Sequence, residues 1–185
     1  MGEVVVELAK AAIVVALDME SSFDLEEALR NHPQLQENSA TFVTLTKGED
    51  DRLRGCIGSL EAYRPLYKDI IANAKSAAFS DPRFEPLSVD ELEEIDIEVS
   101  ILTKPQEIRY VDISDLKKQI RAGIDGVVLE YNGHRATYLP QVWEQLPQFE
   151  IFFNSLCQKA NLPNGCLEKH PTIKSYQVVK YKKGS

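Results

Sequence analysis

The chain has few cysteines and a shortage of basic residues, and both limit what it can be. The chain has three cysteines, at positions 56, 157 and 166, and an odd number is not the even-numbered set of a disulfide framework. Unpaired cysteines are typical of a reducing, cytoplasmic setting, which we therefore expect. Lysine and arginine number 21 against 29 acidic residues, giving a formal net charge of −8. Nucleic-acid-binding proteins normally present a basic stripe or patch, so we expect no nucleic-acid partner.

Long hydrophobic runs and metal-ligand motifs are also missing. The apolar stretch at residues 4–17 is interrupted by Glu7 and Lys10 and is too short to span a bilayer. Its acidic start, with Glu3, is unlike a secretory signal peptide. The cysteines lack the paired spacing of a zinc site, and the acidic turn at residues 49–51 lacks the spaced oxygen ligands of a calcium loop. We expect no membrane segment, no metal ion and no cofactor.

Helical signals occur at intervals along the whole chain. Apolar residues at helical spacing predict helices over residues 5–16 and 149–160. Val6, Val14 and Val15 lie off the apolar face of the first helix, which predicts that it is covered on more than one side. Cys157 lies on the apolar face of the last helix and is interpreted as an inert core thiol. Further helix starts are predicted from caps or proline, at Asp24, Pro65, Ser88 and Ser114.

Strand signals alternate with these helices and pair as antiparallel hairpins. A β-branched stretch at residues 39–46, a polar turn with Gly48 and the segment around Cys56 predict one hairpin. A second is predicted around Asn132-Gly133, the preferred pair for a two-residue turn. Further strands are predicted at residues 95–101 and 172–181. Because hairpins rather than βαβ units dominate, we expect an α+β fold with a mainly antiparallel sheet and flanking helices.

The most unusual stretch is residues 53–58, Leu-Arg-Gly-Cys-Ile-Gly. Glycine weakens a strand and usually marks a bulge or a close backbone approach. In a regular strand Arg52, Arg54 and Cys56 would share one face, and nearby positive charge makes a thiol more acidic. That pattern favours a reactive or anion-facing cysteine. A small buried hydrophobe is an equally good interpretation of a free cysteine, and both interpretations stay open.

The chain resembles the AMMECR-one domain family in stretches that include the Cys56 segment. They are residues 42–45, 53–58, 77–84, 98–102, 139–143 and 156–160, with Gly126. The six-residue segment around Cys56 is the hallmark of that family and is highly specific. The resemblance implies one compact α+β domain over residues 1–185 in two lobes, with the Cys56 segment near the cleft between them.

The same resemblance implies partners but no reaction. The family has no established chemistry, and its prokaryotic members are associated with a MEMO-like protein and a radical SAM protein, which we expect as partners. Arg54, Cys56 and Arg83 all lie in stretches that match the family, which gives them more weight as site residues.

Two functions from different classes remain open. In the first, the chain is a non-catalytic binding module, in which Gly55 and Gly58 admit a small anionic ligand or a partner protein. Arg54 and Arg83 would then be ligand-binding residues. In the second, the chain is an enzyme with Cys56 as nucleophile or redox thiol, acting on an anionic substrate held by the same two arginines.

The histidines do not supply the base that the enzyme would need. Nucleophilic catalysis normally shows a base within hydrogen-bond reach of the nucleophile. His32 and His170 each precede a proline, and His134 falls at a hairpin tip, which leaves Glu130 or Glu144. The missing base favours the binding module.

Overall fold

Helices and strands alternate along the described residues, 1–183, of this computed structural model. In chain order they are α1 (Gly2–Ala16), α2 (Leu25–Asn31), β1 (Ala40–Lys47), β2 (Arg52–Gly58), α3 (Leu66–Phe79), β3 (Ile95–Leu102), β4 (Gln106–Ile108), α4 (Ile113–Gln119), β5 (Gly126–Tyr131), β6 (His134–Tyr138), α5 (Val142–Gln145), α6 (Phe149–Lys159), β7 (Thr172–Tyr176) and β8 (Val178–Lys182). Short 3₁₀ helices occupy Pro33–Gln36, Val89–Glu94 and Cys166–Lys169. None of the helices in residues 1–183 is long and apolar enough to cross a membrane.

The first of two units comprises, among the described residues, 1–102 and 179–183. Its sheet has the strand order β2-β1-β3-β8, and β1 pairs antiparallel with both β2 and β3. Val43 and Leu45 point from β1 into a core shared with Ile13 of α1 and Ile70 of α3, and all four are fully buried. The helices therefore cover one face of this sheet, and the predicted hairpin of β1 and β2 is confirmed.

The second unit, residues 103–178, has its own sheet with the order β4-β7-β5-β6. Tyr131 lies opposite His134 and Glu130 opposite Arg135, which confirms the hairpin predicted around Asn132-Gly133. The core is aromatic, and Trp143 stacks on Phe152 of α6 with 3.6 Å between ring centroids. The α+β prediction is thus confirmed, with two antiparallel sheets instead of one main sheet.

The predictions were wrong at two element boundaries. Residues 172–181 are two strands in different sheets, because both backbone polar groups of Gln177 bond to Thr103 and interrupt the strand. The N-cap of the fourth helix lies two residues before the predicted cap at Ser114. Its cap is Asp112, whose carboxylate accepts a 2.8 Å hydrogen bond from the Asp115 amide, as expected of an N-cap aspartate.

The interpretation of Cys157 as an inert thiol was also wrong. Cys157 of α6 is joined to Cys166 by a disulfide, with the two Cα atoms 6.0 Å apart. A left-handed Gly165, with φ of 76°, turns the chain back towards α6, and its amide donates to the Asn154 side chain. Both cysteines are almost completely buried. The inference of a reducing setting rested on unpaired cysteines and loses that support.

Reducing this disulfide is expected to lower the free energy of unfolding by about 2.5 kcal/mol, the chain-entropy value for closing a loop of about ten residues. Urea unfolding with and without dithiothreitol measures the loss, and the Cys157→Ser/Cys166→Ser variant should show no further response to reductant. Cys56→Ser is the matched control, because it removes a thiol and leaves the disulfide. A urea midpoint that reductant does not change would contradict the expected contribution.

Candidate functional site around Cys56

Gly55 is required by the close approach of a helix. A Cβ atom at Gly55 would overlap the main-chain carbonyl oxygen of Ala77, near the end of α3. Gly55 pairs with Leu45 and faces the helices, and Cys56 pairs with Thr44 and points to the other face of the sheet. The close backbone approach that the sequence predicted is therefore present, and its occupant is the protein's own helix.

Gly58 is required by an aromatic ring on the opposite face of the sheet. A Cβ atom there would overlap the ring of Phe42, the residue directly across from it on β1. A ring packed on a glycine of the neighbouring strand fixes the pairing register of β1 and β2. Both glycines of the segment thus have a packing role next to Cys56.

Arg54 is the extra residue of a β-bulge. Leu45 pairs with Gly55 and Thr46 pairs with Leu53, so Arg54 has no residue opposite it on β1. The bulge breaks the regular alternation that the sequence pattern assumed for Arg52, Arg54 and Cys56, since bulges redirect side chains.

The side chain of Arg54 is bound within the first unit. Its Nε and Nη2 atoms donate to the two oxygens of Glu91 at 2.9 and 3.1 Å. Nη2 also donates to the carbonyl of Glu85 at 2.8 Å. The side chain is only 11% exposed, and its hydrogen bonds hold the pKa of Glu91 at about 2, below the usual 4.5. The bidentate pair fixes the guanidinium plane.

Asp81 and Arg83 cover the exposed edge of β2 at Cys56. The Cys56 amide donates to Asp81 Oδ2 at 3.0 Å, and Arg83 Nη2 donates to the Cys56 carbonyl at 3.3 Å. The Arg83 guanidinium is held in turn by two hydrogen bonds to Asp81, at 3.0 and 2.8 Å. The hydrogen bonds from Arg83 and Cys56 hold the pKa of the buried Asp81 well below its usual range. This loop therefore takes the place of a neighbouring strand along one residue of the edge.

The Cys56 thiol lies half-buried on the face of the sheet opposite the helices. Its hydrogen-bond partner among the described residues is the Thr44 hydroxyl, at 3.3 Å from the sulfur. Thr44 lies opposite Glu98 on β3, and Glu98 pairs with Lys182 at 3.7 Å. A threonine hydroxyl is a poor general base, so the contacts of the thiol include no group suited to activate it.

Glu144 is exposed on α5, and Glu130 and His134 have partners of their own. Glu130 pairs with Arg135 at 3.1 Å and with Lys174 at 3.4 Å, within the second unit. His134 is exposed, and its Nδ1 atom lies 2.9 Å from the carbonyl oxygen of Ala160. Residues 1–183 contain no cluster of three histidine, cysteine or acidic side chains that could hold a metal ion.

Sequence reasoning missed a buried carboxylate network beside the segment. Asp69 of α3 is fully buried and accepts hydrogen bonds from the amide and hydroxyl of Thr41, and from Ser59, Arg64 and Asn73. These bonds fasten the chain that leaves Gly58 to the helix. Asp69 and Asn73 lie beside the apolar positions of α3 at helical spacing, which is the signal that could have revealed them.

The fold and site define a two-unit α+β protein with one free cysteine on an edge strand. The AMMECR1 family model matches residues 6–181, and the chain belongs to that family, which confirms the resemblance seen in the sequence. The protein LS215_2104 of Saccharolobus islandicus is 40% identical over 188 residues, covering 97% of this chain and 80% of its own length. Ta0236 of Thermoplasma acidophilum is 37% identical over 182 residues, with coverages of 96% and 88%. The crystal structure of the uncharacterised protein PH0010 from Pyrococcus horikoshii is similar, with a TM-score of 0.73, 30% identity and coverages of 99% and 91%.

Proposed function

We propose that this protein is a non-catalytic binding module, and that its recognition surface is the sheet face around Cys56. The observation that carries this proposal is that the residues around Cys56 make their contacts with other residues of the protein itself. Arg54 is bound to Glu91, and Arg83 is bound to Asp81 and to the Cys56 backbone. Gly55 is packed against α3. These residues build and stiffen a surface, and a rigid surface lowers the entropic cost of binding.

The proposed ligands are partner proteins, in a cytoplasmic setting. Membership of the family supports MEMO-like and radical SAM proteins as the partners to test first. The exposed part of the surface offers a small thiol, the Thr44 hydroxyl and the half-buried ring of Phe42. Mixed polar and aromatic surfaces of this kind suit a protein interface.

The test replaces Cys56 by a smaller and by a larger side chain. Cys56→Ala should leave binding of a purified MEMO-like protein within about twofold, because the thiol supplies only packing in this proposal. Cys56→Trp should weaken binding by about tenfold or more, because the indole would stand in the middle of the interface. Lys75→Trp, on the exposed side of α3, is the matched control and should bind normally.

Biolayer interferometry with an immobilised partner gives the three dissociation constants. Circular dichroism establishes that each variant is folded. Loss of binding in Cys56→Ala would contradict a packing role for the thiol. Unchanged binding in Cys56→Trp would place the interface on another surface.

A specific observation also keeps the enzyme as a second candidate. Cys56 is the one free cysteine of the described chain. The Nη2 atom of Arg83 donates to the backbone carbonyl of Cys56 at 3.3 Å, which holds a guanidinium beside this residue. A thiol near a guanidinium is a common arrangement in reactive cysteines. The alkylation experiment at the end of the Discussion separates the two functions.

A further inference from the structure

A groove between α1 and α2 has no role in the function proposed for Cys56. Its volume is about 840 Å³. The buried side of α1 packs with α3 and the inner face of the sheet, so the groove lies on the helical side of the first unit and Cys56 on the other. A surface here is therefore independent of the surface proposed above.

The floor of the groove is apolar. Val4, Ala11 and Val14 line it from α1, and Phe23 and Ala28 line it from α2 and the residue before its cap. Val4, Val14 and Phe23 are only partly buried. The sequence predicted that α1 would be covered on more than one side, and this second apolar strip remains open to solvent along the groove.

The walls of the groove are predominantly acidic. Five acidic side chains line it, against a single lysine, Lys10: Glu3, Glu7, Glu20, Asp24 and Glu27. All five are exposed. None forms an ion pair with a described residue, and Asp24 accepts a hydrogen bond only from the Glu27 amide.

Helix ends explain only part of this charge. Glu3 and Glu27 lie in first turns and Asp24 is a cap, positions where the helix dipole favours an acid. Glu7 lies one turn further along α1, at the i+4 position from Glu3, where two like charges destabilise a helix. Glu20 lies in the loop between the two helices. A local arrangement that costs stability is often found at a functional surface.

We propose that this groove binds a basic amphipathic helix of a partner protein. Helix-in-groove recognition places apolar side chains at i, i+3, i+4 and i+7 on an apolar floor. Two turns of helix with a diameter of about 10 Å occupy roughly 800 Å³, which matches the volume of the groove. Lysine and arginine on the flanks of such a helix would meet the carboxylates on both walls, and this charge complementarity would also steer the encounter.

The experiment uses the full chain and a fluorescein-labelled 14-residue peptide of leucine and lysine, with its leucines on one helical face. Fluorescence anisotropy gives the dissociation constant at low and at high salt. The Glu3→Gln/Glu7→Gln/Glu27→Gln variant should bind about tenfold more weakly at low salt, since three exposed charge pairs are lost. Glu49→Gln/Glu93→Gln/Asp96→Asn carries the same charge change outside the groove and should lose less than about twofold.

Two further variants separate groove binding from general electrostatics. Ala11→Trp would fill the groove without changing the charge and should abolish binding, with circular dichroism establishing the fold. Cys56→Trp should bind the peptide normally, so failure of this proposal and failure of the Cys56 surface are distinguishable. A peptide of the same composition in scrambled order should bind much more weakly than the amphipathic one.

Several outcomes would overturn the proposal. They are an equal loss in the control triple variant, equal binding of the scrambled peptide, no binding of the amphipathic peptide, and unchanged binding in Ala11→Trp. Sedimentation velocity tests whether a second copy of this chain occupies the groove instead of a partner helix. A dimer of the wild type that disappears in Ala11→Trp would show that a second copy of this chain fills the groove.

Discussion

Replacing Gly55 by alanine is expected to lower the free energy of unfolding by about 3 kcal/mol or more, at the upper end of overpacking effects. The new methyl group would overlap the carbonyl oxygen of Ala77, which belongs to the backbone of α3. A helix backbone cannot rotate away as a side chain can, so β2 or α3 must shift. Urea unfolding followed by circular dichroism measures the change.

Gly58→Ala is the matched comparison, because its methyl group would meet the ring of Phe42. A side chain can move, so we expect a smaller loss of about 1–2 kcal/mol. Gly58→Ala should also cost less in a Phe42→Leu background, whereas Ala77→Gly should not relieve Gly55→Ala, whose clash is with the main chain. A change below about 0.5 kcal/mol for Gly55→Ala, the range of neutral surface substitutions, would contradict the packing assigned to it.

Asp81→Asn should produce the second large effect. The carboxylate accepts a hydrogen bond from the Cys56 amide and three from Arg83, two of them from the guanidinium, at the edge of β2. An asparagine keeps the size but loses the charge and one acceptor oxygen, and hydrogen bonds to charged groups contribute about 1.5–3 kcal/mol each. We expect a loss of about 2 kcal/mol at pH 7, measured by urea unfolding. Glu93→Gln, an exposed acid on the 3₁₀ helix before β3, is the matched control and should be neutral.

The stability of the protein at acid pH should also depend on the Asp81 carboxylate. The pKa of Asp81 is lowered in the folded protein, and that of Glu91 is lowered to about 2 from 4.5. A carboxyl group whose pKa is lowered by folding stabilises the protein at pH values above its pKa in the unfolded state. That stabilisation is lost as the pH falls through its pKa in the folded state. The urea midpoint of the wild type should therefore fall between pH 5 and pH 2, and the fall should be smaller in Asp81→Asn. Identical acid profiles in the two proteins would show that Asp81 is not held as an ion.

Local signals in the sequence predicted most of the elements. The hairpin at Asn132-Gly133 and the helix beginning at Asp24 depend on residues within a few positions, so their register and start were predictable. The disulfide was not, because its formation depends on the turn at Gly165 that brings Cys166 back to α6. The break at Gln177 depends on Thr103, far away in the chain, and no local pattern encodes it.

The sequence predicted where the candidate site lies, but it did not predict which residues contact one another there. The glycines around Cys56 indicated a close approach, yet the neighbours are Ala77 and Phe42, each brought there by the packing of α3 or the pairing of β1. The bulge that leaves Arg54 with no residue opposite it on β1 depends on the register between β1 and β2. The sequence pattern did not single out Asp81 beside Arg83, because the role of Asp81 depends on the hydrogen bond that it accepts from the Cys56 amide.

The measurement that most directly tests whether Cys56 is part of a binding surface or a reactive centre is its alkylation rate. Cys157 and Cys166 are joined in a disulfide, so iodoacetamide on the unreduced protein labels Cys56, and mass spectrometry follows the mass increase. The rate in urea-unfolded protein at the same pH is the reference. A binding module predicts that native Cys56 reacts more slowly than this reference at pH 7. A native rate about tenfold above the reference would reveal a stabilised thiolate, and would contradict the binding module in favour of a nucleophile or redox thiol.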